Sequence, residues 1–144
     1  MTPQEEKEQL LKVVVRVAAI QLKEGGLVPF GATLGFSRNV KLLMPKGWKP
    51  SPATPDQLEG YWTRELRLAT AASACKSVCY CADVRVPVEQ KLVPAIFIHV
   101  EHAEGSAEDI LSPYRKDEGS TIVFGEPTSS ETAHQIFTPA QETS

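Results

Sequence analysis

Val78-Cys-Tyr-Cys-Ala-Asp-Val-Arg-Val86, followed at a short distance by Ile96-Phe-Ile-His-Val-Glu101, is the stretch whose reading decides the fold. In the first run Val78, Tyr80, Ala82, Val84 and Val86 alternate with Cys79, Cys81, Asp83 and Arg85. In the second, Ile96, Ile98 and Val100 alternate with Phe97, His99 and Glu101. Successive side chains of a strand point to opposite faces, so a period of two marks both runs as strands. The intervening Glu89-Gln-Lys-Leu92 reads as a loop and predicts an antiparallel hairpin centred near Leu92. That register sets Asp83 close to His99 and Cys81 close to Glu101, with Arg85 on the same face.

Upstream, the period lengthens. Thr54-Pro-Asp-Gln57 opens a helix with a capping residue, a proline at the first helical position and a capping-box glutamine. Leu58, Trp62, Leu66, Ala69 and Ala72 then form its apolar stripe. Thr2-Pro-Gln-Glu5 gives the same signal at the start of the chain, and Leu11, Val14 or Val15, Ala18 and Leu22 make the stripe. Gly25-Gly26 ends that helix, since glycine accepts the left-handed conformation of a C-terminal cap. Between the helices, Val28 to Phe36 and Val40 to Met44 read as strands joined by Ser37-Arg-Asn39. A proline-rich loop from Pro45 to Pro55 carries Trp48, an aromatic that needs a surface to cover.

Downstream, Gly105 breaks the strand pattern, and two further strands are predicted at Ala107–Tyr114 and Ser120–Phe124. The order αββαββββ predicts an α+β two-layer sandwich: an antiparallel sheet of about five or six strands with both helices on one face. Residues 1–125 form a single domain on this reading. Residues 126–144 form a polar C-terminal tail in which Ile136-Phe137 is the apolar anchor, expected to dock onto a neighbouring chain.

The 144 residues suit one domain, and 42% hydrophobic with 23% charged residues is an ordinary globular balance. A net charge of −3 without a basic stripe argues against nucleic acid as a partner. The N-terminus is acidic and polar, unlike a secretory signal. Val13–Ile20 is interrupted by Arg16 and falls far short of a membrane span of roughly 20 residues. Three clustered cysteines, Cys75, Cys79 and Cys81, read as reduced thiols in the cytoplasm.

Pro29-Phe-Gly-Ala, Ala82-Asp-Val-Arg-Val, Ala95-Ile-Phe-Ile-His-Val-Glu-His, Asp109-Ile, Pro113-Tyr and Phe124-Gly-Glu occur in that order across residues 29 to 126. Together they resemble a small bacterial α+β family with no known function. The resemblance implies a single small α+β domain and carries no catalytic residue, cofactor or partner.

Three chemistries compete for the polar residues. Cys79, Cys81 and His99 would share a face in the expected hairpin and offer soft ligands, yet C-x-C along a flat strand is not zinc spacing. No metal and no cofactor is therefore expected. His99-Val-Glu-His102 differs from the metalloprotease motif, because a strand sends His99 and Glu101 to one face and His102 to the other. Asp83 beside His99 and Glu101 would suit acid–base work, but no nucleophile or phosphate loop accompanies them. Tyr114-Arg115-Lys116 is the one concentrated aromatic–basic spot and suits an anionic ligand.

The function expected from the sequence is non-catalytic binding, with self-association as a homodimer through an open sheet face centred on Phe97. A protein or small-molecule partner is also expected. Asp83, Arg85, Phe97, His99, Glu101, Tyr114 and Arg115 are the candidate ligand or interface residues. The alternative is a small enzyme or ligand-binding protein using Asp83, His99 and Glu101.

Overall fold

Both helices start on reciprocal caps. The Thr2 hydroxyl accepts the Glu5 amide while the Glu5 carboxylate accepts the Thr2 amide, and Thr54 with Gln57 repeats the arrangement. These caps satisfy N–H groups that a helix start otherwise leaves unpaired. The computed structural model describes residues 2–45 and 54–137, so Trp48 and the loop around it lie outside the described residues. In chain order the elements are α1 (Pro3–Glu24), β1 (Phe30–Gly35), β2 (Val40–Leu43), α2 (Pro55–Ala72), β3 (Cys75–Val88), β4 (Lys91–His102), β5 (Ala107–Lys116), β6 (Ile122–Phe124) and β7 (Thr128–Thr132).

The strands form one antiparallel sheet ordered β2-β1-β3-β4-β5-β6, with β7 also pairing β5. The α+β class, the antiparallel sheet and the two helices agree with the sequence. The placement of the helices does not. α1 lays Leu10, Val14, Ala18 and Leu22 on a core with Phe30, Ala32, Leu34, Cys79, Cys81, Ile96, Ile98 and Val100. α2 lays Leu58, Trp62 and Leu66 on Val78, Tyr80, Ala82, Val84 and Ala95, the alternate residues of the same strands. The helices therefore cover opposite faces, giving three layers rather than two. β3 explains this: from Cys79 to Ala82 both of its faces are apolar and buried, so each must be covered.

A second correction concerns register. Glu89 and Gln90 both have positive φ, 50° and 70°, and form a two-residue turn closed by Val88 opposite Lys91. Such turns match the twist of the flanking strands. The hairpin centre thus falls earlier than Leu92, and Tyr80 rather than Asp83 lies opposite His99. The shift in pairing is odd, which moves side chains to the other face. Asp83 ends on the α1 face opposite Ile96, while His99 and Glu101 lie on the α2 face.

The third correction lies beyond residue 125. β7 adds a seventh strand by pairing Thr128–Thr132 with Leu111–Ala107, and Ile136 is buried against the core under α2. The expected anchor is real, but it docks on its own chain. Residues 135–137 lie against Glu101 of β4, on the same sheet face as α2.

Gly31 marks where α2 approaches closest. A Cβ there would stand 2.8 Å from a ring carbon of Trp62 and 3.4 Å from the Cys79 carbonyl oxygen. Trp62 is itself buried in the core under α2, so the ring must shift to admit the methyl group. Gly31→Ala should therefore destabilise the chain by roughly 1–3 kcal/mol through overpacking. Chemical denaturation checks this, and an unchanged midpoint would show that α2 is free to shift outward.

Candidate functional site

The candidate residues separate into two groups, one lining a cleft at the end of α1 and one on the α2 face of the sheet. Asp83, Arg85, Tyr114 and Arg115 come together at the end of α1, where Leu22, Gly25, Gly26, Leu27, Pro94 and Lys116 complete a cleft of about 430 Å³. Tyr114 and Asp83 both point to the α1 face because β5 and β3 each stand in phase with Ile96 and Ile98 of β4. Asp83 is 6% exposed and organises the cleft wall. Its Oδ1 accepts Arg85 Nη1 at 2.7 Å and the Tyr114 hydroxyl at 2.8 Å. Arg85 Nη1 also donates to the Val84 carbonyl at 3.0 Å, and its guanidinium interacts with Tyr114.

Charge in the cleft is unbalanced. Arg85, Arg115 and Lys116 face one carboxylate, Asp83, and Arg115 and Lys116 make no ion pair among the described residues. Asp117, next along the chain, lies outside the lining of the cleft, and its Oδ1 accepts the amides of Gly119 and Thr121 in the following turn. A local excess of two positive charges thus sits on a chain whose net charge is −3. Leu22, Leu27 and Pro94 give the same cleft an apolar wall. Fixed polar groups set in apolar lining are the usual make-up of a small-molecule site.

The second group is Phe97, His99 and Glu101 on the α2 face, with Asp109 of β5. His99 Nε2 lies 2.6 Å from Glu101 Oε2, and His99 Nδ1 lies 2.7 Å from Asp109 Oδ1. Both ring nitrogens face acceptors, so both carry protons and the ring is an imidazolium. Burial would lower the pKa of His99, but the bonds to Glu101 and Asp109 outweigh it and the pKa is raised. Burial likewise opposes ionisation of Glu101, yet His99 and the backbone amides of Phe137 and Gln135 hold its pKa below the ordinary value.

Glu101 is the tether of the C-terminal segment. Its carboxylate accepts the amides of Gln135 at 2.6 Å, Ile136 at 3.0 and 3.1 Å, and Phe137 at 3.0 Å. Arg67 of α2 donates to the Gln135 carbonyl at 2.8 Å, and His134 Nε2 meets the His102 carbonyl at 3.1 Å. Burying Ile136 contributes about 1.5–3 kcal/mol. Ordering a backbone costs roughly 1–2 kcal/mol per residue, and five residues exceed what one aliphatic side chain offsets. The charge-assisted bonds to Glu101 supply the difference.

The geometry rules out two expected constellations. Cys79 and Cys81 point onto α1 while His99 points toward α2, so no cysteine–histidine ligand set forms. Burial raises the pKa of both thiols, which makes them packing groups rather than nucleophiles. Asp83 and His99 lie on opposite faces, and His99 and Glu101 are fully buried with their polar atoms engaged. The face around Phe97, expected to be open, is covered by α2 and residues 133–137.

Asp109 and the amides of residues 135–137 are the participants that the sequence reading missed. Asp109 was reachable: once Gly105 is taken as part of a short turn, the β4–β5 hairpin sets it opposite His99. A wider groove of about 630 Å³ lies between β2 and α2, but it carries only Lys41 and Glu65 as charged groups and opens beside Pro45, where the described residues stop. Comparisons with protein-family models, curated proteins and solved structures return no match to this chain.

The Asp83 network has a direct spectroscopic test. Burial, and then the bond to Asp83, push the Tyr114 phenol up to about 12 from an ordinary value of 10.0. In Asp83→Asn the Tyr114 transition should fall toward that ordinary value. Ultraviolet titration, with the Tyr114→Phe chain subtracted, isolates it, and an unmoved transition would mean that Asp83 does not set it.

Proposed function

We propose that this protein is a non-catalytic binding protein that holds a small anionic ligand, a carboxylate or phosphate, in the cleft at the end of α1. The observation that carries the reading is the convergence of Arg85, Arg115 and Lys116 on one concave surface against the single carboxylate of Asp83. Arg85, fixed by Asp83, supplies a guanidinium in the cleft wall. Arg115 and Lys116 add charge at the rim, and Leu22, Leu27 and Pro94 accept the apolar part of the ligand.

Self-association through the sheet face beside Phe97 is not retained, because α2 and residues 133–137 occupy that face. The enzyme reading built on Asp83, His99 and Glu101 is not retained either, because the sheet separates Asp83 from the other two. The three free cysteines, with Cys79 and Cys81 buried beneath α1, support a reducing, cytoplasmic setting.

Titration of inorganic phosphate and of butyrate, followed by amide chemical shifts, tests the proposal. The expected result is saturable movement at Gly25, Gly26, Tyr114, Arg115 and Lys116, weakened about tenfold or more in the Arg115→Glu/Lys116→Glu chain. Equal responses from both chains, or no saturable response to either anion, would overturn it.

A further inference from the structure

We propose that residues 133–137 form an ionic latch, held on the sheet by the charged Glu101–His99 pair and released as a unit when either partner loses its charge. Ile136 of the latch is buried in the cluster that includes Tyr80, with Phe97 and Phe137 packed against it.

The argument rests on how the segment is held. Three consecutive amides converge on one carboxylate, and that carboxylate is oriented by one buried imidazolium. Two further bonds reach the segment, from Arg67 to the Gln135 carbonyl at 2.8 Å and between His134 and the His102 carbonyl at 3.1 Å, and neither involves the amides of residues 135–137. The Tyr80 and Thr63 hydroxyls meet Gln135 Oε1 only at 3.4 Å, near the limit of a hydrogen bond. Removing the Glu101 charge weakens the bonds to three successive residues at once. Removing the His99 proton leaves one ring nitrogen as a lone pair facing a carboxylate and loosens the group that orients Glu101. β7 stays paired to β5 through its own ladder, so release begins after Thr132.

The charged and titratable groups around the pair come from every neighbouring element. Asp109 of β5 is partly exposed and bonds His99 from its other side. Tyr80 of β3 packs at a tilt against the His99 ring, and burial raises its phenol pKa. Arg67 of α2 holds the Gln135 carbonyl, Glu59 of α2 faces Tyr80 electrostatically, and His134 of the latch bonds the His102 carbonyl.

The signs of the two titrations define a closed window. The pKa of Glu101 is lowered on folding, so its contribution is present above the ordinary carboxylate value and lost as pH falls through the lowered one. The pKa of His99 is raised, so its contribution is full below the ordinary imidazole value and lost as pH rises through the raised one. The latch is therefore closed in mildly acidic to neutral solution and weaker on both sides.

Amide hydrogen exchange on the full chain tests this, read as protection factors for Gln135, Ile136 and Phe137 against the β3–β4 amides. In the native chain, protection of the three should peak within that window and fall on both sides while the β3–β4 amides hold. In Glu101→Gln near neutral pH, the three should lose protection about tenfold or more, with the β3–β4 amides within about twofold of native. Loss of latch and sheet protection in step, or undiminished latch protection in Glu101→Gln, would overturn the proposal. Should Glu101→Gln fail to fold, the pH series of the native chain decides alone, and a step-for-step loss there counts against the latch.

Discussion

The two-residue turn at Glu89 and Gln90 is the constraint on which the rest of the structure depends. It fixes the longest ladder in the sheet, from Ser77–His102 to Val88–Lys91, and so assigns each residue of β3 and β4 to a face. With that register Tyr80 lies opposite His99, Glu101 stands under residues 135–137, and Asp83 reaches Tyr114. With β3 held in place, a slip of one residue in β4 would send Glu101 to the α1 side and leave three backbone amides without an acceptor.

The same register accounts for the buried charges. On the α1 face, Glu6 bonds His102 at 2.9 Å and Lys76 at 2.8 Å, while Lys7 bonds Glu108 at 2.9 Å and Ser106 at 2.8 Å. On the α2 face, His99 is held between Glu101 and Asp109. Buried ion pairs gain little stability over apolar packing, because removing charge from water is expensive. Breaking one is costly, however, since the remaining partner is then unpaired. These pairs therefore discriminate between alternatives: they bind the start of α1 to the β4–β5 end of the sheet, and the C-terminal segment to β4.

The elements were legible because their signals are local. Two capping boxes, two alternating runs and Gly25-Gly26 located both helices and the first six strands without knowledge of the fold. Layering and register were not legible, because each depends on contacts between distant residues. The alternation of β3 showed that it had two faces but not that both were apolar enough to need cover, since Cys79 and Cys81 read equally as polar ligands or as buried filler. Glu89-Gln90 lacks the Asn-Gly signature of its turn type, so the hairpin centre was misplaced. β7, Thr-Ser-Ser-Glu-Thr, has a composition that favours exposed coil, and it becomes a strand only because the edge of β5 is there to pair with it. Four of the seven candidate residues nevertheless meet in one cleft, because Asp83, Arg85, Tyr114 and Arg115 stand near the same end of two strands.

One bland account of that cleft is that its cations merely offset the C-terminal end of α1, where helix carbonyls carry partial negative charge. The magnitudes count against it. A cation near a helix C-terminus contributes typically 0.3–1 kcal/mol, an effect confined to the last turn. That turn already holds Lys23, and the amides of Gly25 and Gly26 both donate to the Gln21 carbonyl. An effect of that size, confined to one turn, does not account for three further cations gathered in one cleft. Asp83 does not absorb them either, since its Oδ1 is shared between Arg85 and the Tyr114 hydroxyl. An excess of like charge around a cleft raises the energy of the empty protein, and an anion seated there relieves it. The sheet that separates this cleft from the Glu101 carboxylate keeps the two charge systems apart. Arg85 and Lys116 thus line the cleft on the α1 side, while His99 and Glu101 hold the C-terminal segment on the other.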